Sequence, residues 1–277
     1  MHRPVRDGHL PHSTLQIGDG DHIAAGTGII TLSDFRQKHV AAGGEGAPLA
    51  VYGDYFLFSK AGQDRVLLNM GGIGNFTYLS ASGDAAQVLV TDTGPGNTLI
   101  DACVRKHFPG LSYDEDAKVG LSGECHQGLL DALMAQDFFR EAFPKSTGPE
   151  YFHLSVVDDL IEQNSWSISP KDLIRTLTEF TAQSIVLALK TYVHVHKGEL
   201  IASGGGSRNP LIMKRLAELS PTWDTKISDA IGIPSGAKEA LLFALLANET
   251  LSDGGAQAGR RLGDSPWVTM GKISFPF

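Results

Sequence analysis

The chain has 277 residues, 42% of them hydrophobic, and its 23 Lys plus Arg against 31 Asp plus Glu give a formal net charge of -8. That length buries a sizeable apolar core without staples, in one large domain or two moderate ones, and the negative balance disfavours nucleic acid and anionic membrane as partners, leaving a small molecule as the default. The two cysteines, Cys103 and Cys125, lack CxxC spacing and so indicate neither a disulfide framework nor a zinc site; no apolar stretch approaches a membrane span and the basic N-terminus has no apolar h-region, so a cytoplasmic protein is expected.

About the first ten residues, rich in His, Arg, Pro and Gly, predict an irregular opening. Ser13–Ile17 reads as a short strand, Asp21–Thr27 as a helix and Gly28–Ser33 as a second strand. The Gly and Ala segment Val40–Leu49 predicts a loop, and a helix or irregular apolar run follows to Phe58. Arg65–Asn69 and Phe76–Ser80 read as strands joined by turn chemistry over Gly71–Asn75, a hairpin. After a turn at Ser82–Asp84, Gln87–Thr91 supplies a third strand and Thr98–His107 a helix. Three antiparallel strands followed by a helix open a ribonuclease-H-like unit. From Tyr113 to Gln163 the chain reads as short helices broken by glycines and by the Pro144–Pro149 loop. Ser169-Pro170 then starts a strong helix with an apolar stripe of Leu173, Leu177, Phe180, Ile185, Leu187 and Leu189. Glu199–Ser203 is a short buried strand, Asn209-Pro210 opens another helix, Lys226–Ile227 marks a strand and Lys238–Asn248 is a last long helix. Strands alternating with helices imply a mixed sheet with parallel members.

Three glycine-bearing segments carry the chemistry. At Asn69-Met70-Gly71-Gly72-Ile73-Gly74-Asn75, glycines allow backbone N–H groups to face an anion with no Cβ in the way, although a hairpin turn also uses glycine for its own sake. Asp92-Thr93-Gly94-Pro95-Gly96-Asn97 puts an acid at a strand end with a helix behind it, the place where ligands sit in open α/β sheets; an acid there could equally cap the helix. The triple glycine Gly204-Gly205-Gly206, between a buried strand and a helix, leaves a flat backbone on which an adenosine can lie.

In this order the three segments resemble the phosphate and adenosine motifs of hexokinases, actin and heat-shock chaperones. More closely, Leu15-Gln16-Ile17-Gly18, Asp34-Phe35-Arg36, the block from Ala41 to Leu49, the two segments at 69–75 and 92–97, Pro144-Lys145-Ser146-Thr147-Gly148 and Lys238-Glu239-Ala240 resemble the anhydro-N-acetylmuramic acid kinase family. The resemblance implies an α/β fold of the ribonuclease-H-like actin and hexokinase ATPase type with two lobes: residues 1–64 with 256–277 as an incomplete first, sugar-binding lobe, and 65–255 as the nucleotide lobe. It further implies an ATP-dependent and Mg2+-dependent sugar kinase of peptidoglycan recycling, a homodimer, with Asp92 as general base. Arg36 and Glu239 would contact the sugar, with Asn97 on the substrate side. Gly71, Gly72, Asn75 and Gly94 would lie at the phosphates, and Gly204, Gly205 and Gly206 under the nucleoside. The family pattern also has a Ser-Gly-Thr-Ser-like phosphate loop and a His-Gly-Gln-Thr segment that this sequence lacks. Two rival readings therefore stand beside the first: a catalytically silent nucleotide-binding module, and a kinase for another anhydro-sugar such as levoglucosan. A chaperone-like or actin-like ATPase is disfavoured, because the Asp34–Leu49 block has no counterpart there.

Overall fold

The computed structural model describes residues 2–3, 13–46, 49–232, 237–252, 261–263 and 265–277. Apart from His2–Arg3, the expected irregular opening lies outside these, as do Ala47 and Pro48 of the Gly and Ala segment and residues 256–260. The chain forms two compact units, one of Met1–Gly62, Leu79–Leu89 and Gly236–Phe277 and one of Gln63–Tyr78 and Val90–Ser235.

The first unit opens with β1 (His2–Arg3), antiparallel to β2 (Ser13–Thr14), which is shorter than the strand expected to Ile17. Helix α1 (Gly20–Thr27) is capped by the Asp19 carboxylate, which accepts the N–H groups of Asp21 and His22, and it stops at Gly28 with φ 70°. A left-handed residue cannot begin a strand. The strand expected from Gly28 therefore starts later, as β3 (Thr31–Ser33). Helix α2 (Arg36–Ala41) takes up the start of the expected loop, and α3 (Ala50–Phe58) follows.

The second unit holds the larger sheet. Strands β4 (Arg65–Met70) and β5 (Ile73–Leu79) form a hairpin whose turn is only Gly71-Gly72, so Asn75 lies within β5 rather than in the turn. Strand β6 (Leu89–Pro95) runs four residues past the expected end at Thr91. It is extended because its outer side meets a distant segment: the Asp92 N–H donates to Lys145 O at 3.0 Å. Then come α4 (Thr98–His107), α5 (Gln127–Met134), α6 (Leu154–Gln163) and α7 (Pro170–Tyr192), followed by β7 (Gly198–Ser203), α8 (Pro210–Leu219) and β8 (Trp223–Ile227). The sheet order is β6-β5-β4-β7-β8. Strand β7 runs parallel to β4, with Asn69 opposite Ser203, and β8 runs parallel to β7. Three consecutive strands side by side, then helix-connected strands added beyond the first, is the ribonuclease-H-like arrangement.

Returning to the first unit, α9 (Lys238–Leu251) packs on α3. The fit is close because Gly53 has no side chain: a Cβ there would sit 3.0 Å from Leu242 Cδ1. Buried Asp54 pairs with Lys238 at 2.7 Å. So α9 belongs to this unit although it falls within the 65–255 span, and the short strands β9 (Arg261–Leu262), β10 (Ser265–Pro266) and β11 (Lys272–Ser274) follow it, β11 antiparallel to β3.

Helix α7 organises the second unit. Ser169 Oγ accepts the Asp172 N–H at 3.3 Å and Pro170 sits in the first turn, so the start is fixed locally. The helix buries Leu173, Leu177, Phe180, Ile185 and Leu189, and Thr176, Thr178, Glu179, Thr181 and Ser184 as well. Hydroxyls of Thr176, Thr178 and Ser184 satisfy themselves on carbonyls one turn back. Glu179 instead receives a two-pronged contact from Arg215 of α8, at 2.7 and 2.8 Å, which staples the two helices together. Burial works to raise the Glu179 pKa, but Arg215 and Gln183 outweigh it, and the carboxyl stays below its ordinary value. A folded-state pKa held down means that the pair stabilises the fold above the unfolded-state value and that this contribution is lost as pH falls. Glu179→Ala should therefore cost about 3 kcal/mol in a urea titration at neutral pH, and the gap from wild type should narrow below about pH 4; a pH-independent gap would contradict the pairing account.

Candidate functional site

The three glycine-bearing segments meet at the end of β4. The Gly96 N–H donates to Gly72 O and the Asn97 N–H to Gly71 O, both at 2.8 Å, and Thr98 binds Gly72 O through its N–H at 3.2 Å and its hydroxyl at 2.7 Å. The Asn97 side chain adds two more bonds, its Nδ2 donating to Met70 O at 3.1 Å and to Gly71 O at 3.0 Å. Behind this, the Thr181 hydroxyl of α7 donates to Gly96 O at 2.8 Å.

Glycine is required here by contact distances. A Cβ on Gly96 would lie 2.3 Å from Gly71 O, one on Gly204 (φ 79°) would lie 2.7 Å from Met70 O, and one on Gly206 would lie 2.7 Å from Met70 Cβ. Gly205 differs: it is exposed, and a Cβ there would approach only Asn97 Nδ2, at 3.5 Å. Packing against β4 thus accounts for Gly204 and Gly206, while Gly205 presents bare backbone outward. Gly72 is exposed at the hairpin tip and Gly71 half-buried. Helix α4 begins at the same point, and the Asn97 side chain, turned back to the carbonyls, does not cap it. Its dipole favours an anion near the junction.

Asp92 lies on β6, four residues before Gly96. It is half-buried, and its Oδ2 accepts the Thr147 N–H at 2.8 Å. Burial raises its pKa above the ordinary carboxylate value, and the Thr147 N–H pulls back only part of that. Among the described residues no cation pairs with it, and it does not cap α4, whose cap position is held by Asn97. A carboxyl of this kind is suited to taking a proton. Gly94, with φ 123°, lets the Phe139 ring come within 3.2 Å of where a Cβ would be. Asn75 is half-buried on β5.

Arg36 and Glu239 belong to the first unit. Arg36 opens α2, its Nη1 donating to Gly46 O at 2.6 Å. Glu239 is exposed in the first turn of α9, where an acid suits the helix dipole. The Phe35 and Phe243 rings are 5.2 Å apart, so the segment carrying Arg36 lies against the helix that carries Glu239.

Thr147 and Thr181 were not singled out from the sequence as site residues. Thr181 sits between Phe180 and Ala182 in an apolar helix, and a buried hydroxyl whose partner lies 85 residues away leaves no local mark. Thr147 acts through its backbone N–H, which any residue but proline would supply.

The sequence matches the family model described as anhydro-N-acetylmuramic acid kinase over residues 1–276. Among relatives bearing that name, the protein of Pseudoalteromonas atlantica is 48% identical over 269 residues, covering 96% of this chain and 67% of the relative. That of Pseudoalteromonas translucida is 46% identical over 95% of this chain and 67% of the relative, and that of Caldanaerobacter subterraneus subsp. tengcongensis 37% identical over 96% and 68%.

The contact distances make a paired prediction. Gly96→Ala should destabilise the protein by about 3 kcal/mol, because the obstacle is a backbone carbonyl that cannot turn aside. Gly205→Ala should change stability by no more than about 0.5 kcal/mol. Equal losses in denaturant midpoint would show that the junction does not pack as described.

Proposed function

This chain belongs to the anhydro-N-acetylmuramic acid kinase family, and we propose that it uses ATP to phosphorylate the 6-oxygen of 1,6-anhydro-N-acetylmuramic acid while water opens the anhydro bridge. The setting is peptidoglycan recycling in the cytoplasm, and the enzyme acts as a homodimer. The observation that carries the reading is Asp92: a half-buried carboxylate with no cation beside it among the described residues, on the strand that leads into the junction of three glycine segments. In the reaction its carboxylate takes a proton from the attacking water, whose oxygen bonds to the anomeric carbon. The bond from that carbon to the bridging oxygen breaks, and the bridging oxygen, now the 6-oxygen, takes the γ-phosphoryl group, leaving ADP.

ATP would occupy the junction. Its phosphates would meet the Gly71-Gly72 turn, Asn75 and Gly94 beside the N-terminus of α4, and its nucleoside would lie on Gly204–Gly206, where Gly205 offers open backbone. Asn97 has both amide hydrogens committed to Met70 O and Gly71 O, so Oδ1 is its side-chain atom for a ligand. Arg36 and Glu239 would bind the sugar. Mg2+ carried largely by substrate phosphates and waters would neutralise phosphate charge there.

The pKa of Asp92 sets the acid side of the rate profile. Because it lies above the ordinary carboxylate value, turnover should rise with pH through a midpoint above about 4. Asp92→Asn keeps shape and can still accept the Thr147 N–H, so melting temperature and ATP affinity should hold while turnover falls by about 10² to 10⁴. An ADP-release assay on the anhydro-sugar checks this. Wild-type turnover in the Asn variant would remove Asp92 as base, and a preference for levoglucosan would reassign the substrate.

A further inference from the structure

The segment Pro144–Gly148 is unexplained by the reading above, although it lies against the strand of the proposed base. Its Lys145 backbone is tied to β6 on both sides: Lys145 N donates to Thr91 Oγ1 at 3.1 Å and Lys145 O accepts the Asp92 N–H at 3.0 Å. Two residues on, the Thr147 N–H holds the Asp92 carboxylate.

The Lys145 side chain enters aromatic surroundings and is only 8% exposed. Its ammonium donates to Phe138 O at 2.6 Å and sits 4.3 Å from the centroids of both the Phe138 and the Phe143 rings, with Phe139 at 5.8 Å. Among the described residues no carboxylate pairs with it. A buried ammonium without a counter-ion is costly, and here a carbonyl and two ring faces offset that cost. The cage is fixed to α7 by Phe139 on Phe180 at 5.5 Å and Phe143 stacked on Tyr192 at 5.2 Å, and Phe139 also packs on Gly94 of β6.

We infer that Lys145 is a positioning residue for Asp92: its ammonium, held between Phe138 and Phe143, anchors the 145–147 segment so that the Thr147 N–H stays on the carboxylate. The inference rests on the reading of Asp92 as base. Among the described residues, Glu141 is the charged group that acts on the ammonium, and Tyr151 and Tyr192 flank the cage; for the Asp92 carboxyl the Thr147 N–H opposes the effect of burial. Replacing the anchor loosens that hydrogen bond, which stabilises the charged form, so the carboxyl should titrate at higher pH.

The test follows the Asp92 carboxyl directly by 13C NMR titration of the full chain labelled at aspartate, which needs no turnover. In Lys145→Met, which keeps length and loses charge, the midpoint should rise by about half a pH unit or more, and Lys145→Arg should restore it. The acid limb of the rate profile should move up with it, and turnover should fall about tenfold through misplacement of the carboxylate. If Lys145→Met does not fold, Phe143→Leu removes one ring face and should give a smaller rise of the same sign. An unchanged midpoint in a folded variant overturns the inference. Silence of Asp92→Asn in turnover would instead overturn the base reading, and the titration would still decide the role of Lys145.

Discussion

Two hydrogens on one side-chain amide hold the centre of the second unit together. Where β4 ends and the chain turns through Gly71-Gly72, the carbonyls of Met70 and Gly71 face inward, and Asn97 Nδ2 meets both. Buried carbonyls left unmet would each cost roughly 1–3 kcal/mol. Because Asn97 also begins α4, the same residue sets where the strand pair, the helix and the Gly204–Gly206 segment come together. An aspartate there would present acceptors to acceptors, and an alanine would remove the side-chain bonds to both carbonyls, leaving Gly71 O the Asn97 backbone N–H at 2.8 Å.

That arrangement separates two uses of glycine that look alike in sequence. Gly96, Gly204 and Gly206 let backbones approach within distances at which a Cβ would collide with the end of β4 or its turn. Gly205 is the one left open, while Gly72, though exposed, would bring a Cβ to 2.8 Å from Thr98 Oγ1. Packing glycines build the platform, and Gly205 leaves it accessible to a ligand. Asp92 is placed by a different device, a backbone N–H from a loop more than fifty residues away in sequence.

What was legible in the sequence follows from which forces are local. Ser169-Pro170 and Asn209-Pro210 announce α7 and α8 because a cap and a proline act within one turn, and in both helices the cap bond is made. Thr98–His107 is a helix with the expected bounds. The length of β6 was not legible, since its outer partners at 145–147 carry no strand pattern of their own. Nor was the start of β3, which a left-handed Gly28 delays. The grouping of α9 with α3 depends on Gly53, Leu242 and the Asp54–Lys238 pair, contacts that span almost two hundred residues. Among site residues, the glycines and Asp92 stood out because unusual residue types cluster there, whereas Thr147 and Thr181 act through a backbone group and a buried hydroxyl that composition does not mark.

The central claim is that the junction around Asn97 receives the nucleotide. Hydrogen exchange measured by mass spectrometry, with and without a non-hydrolysable ATP analogue and Mg2+, tests it most directly. The account predicts slowed exchange at 71–72, at 94–98 and at 204–207 together, since all three segments share one centre. Slowed exchange confined to another part of the unit, such as the open hollow lined by Gln136, Glu150 and His153, with none at these three segments, would contradict it.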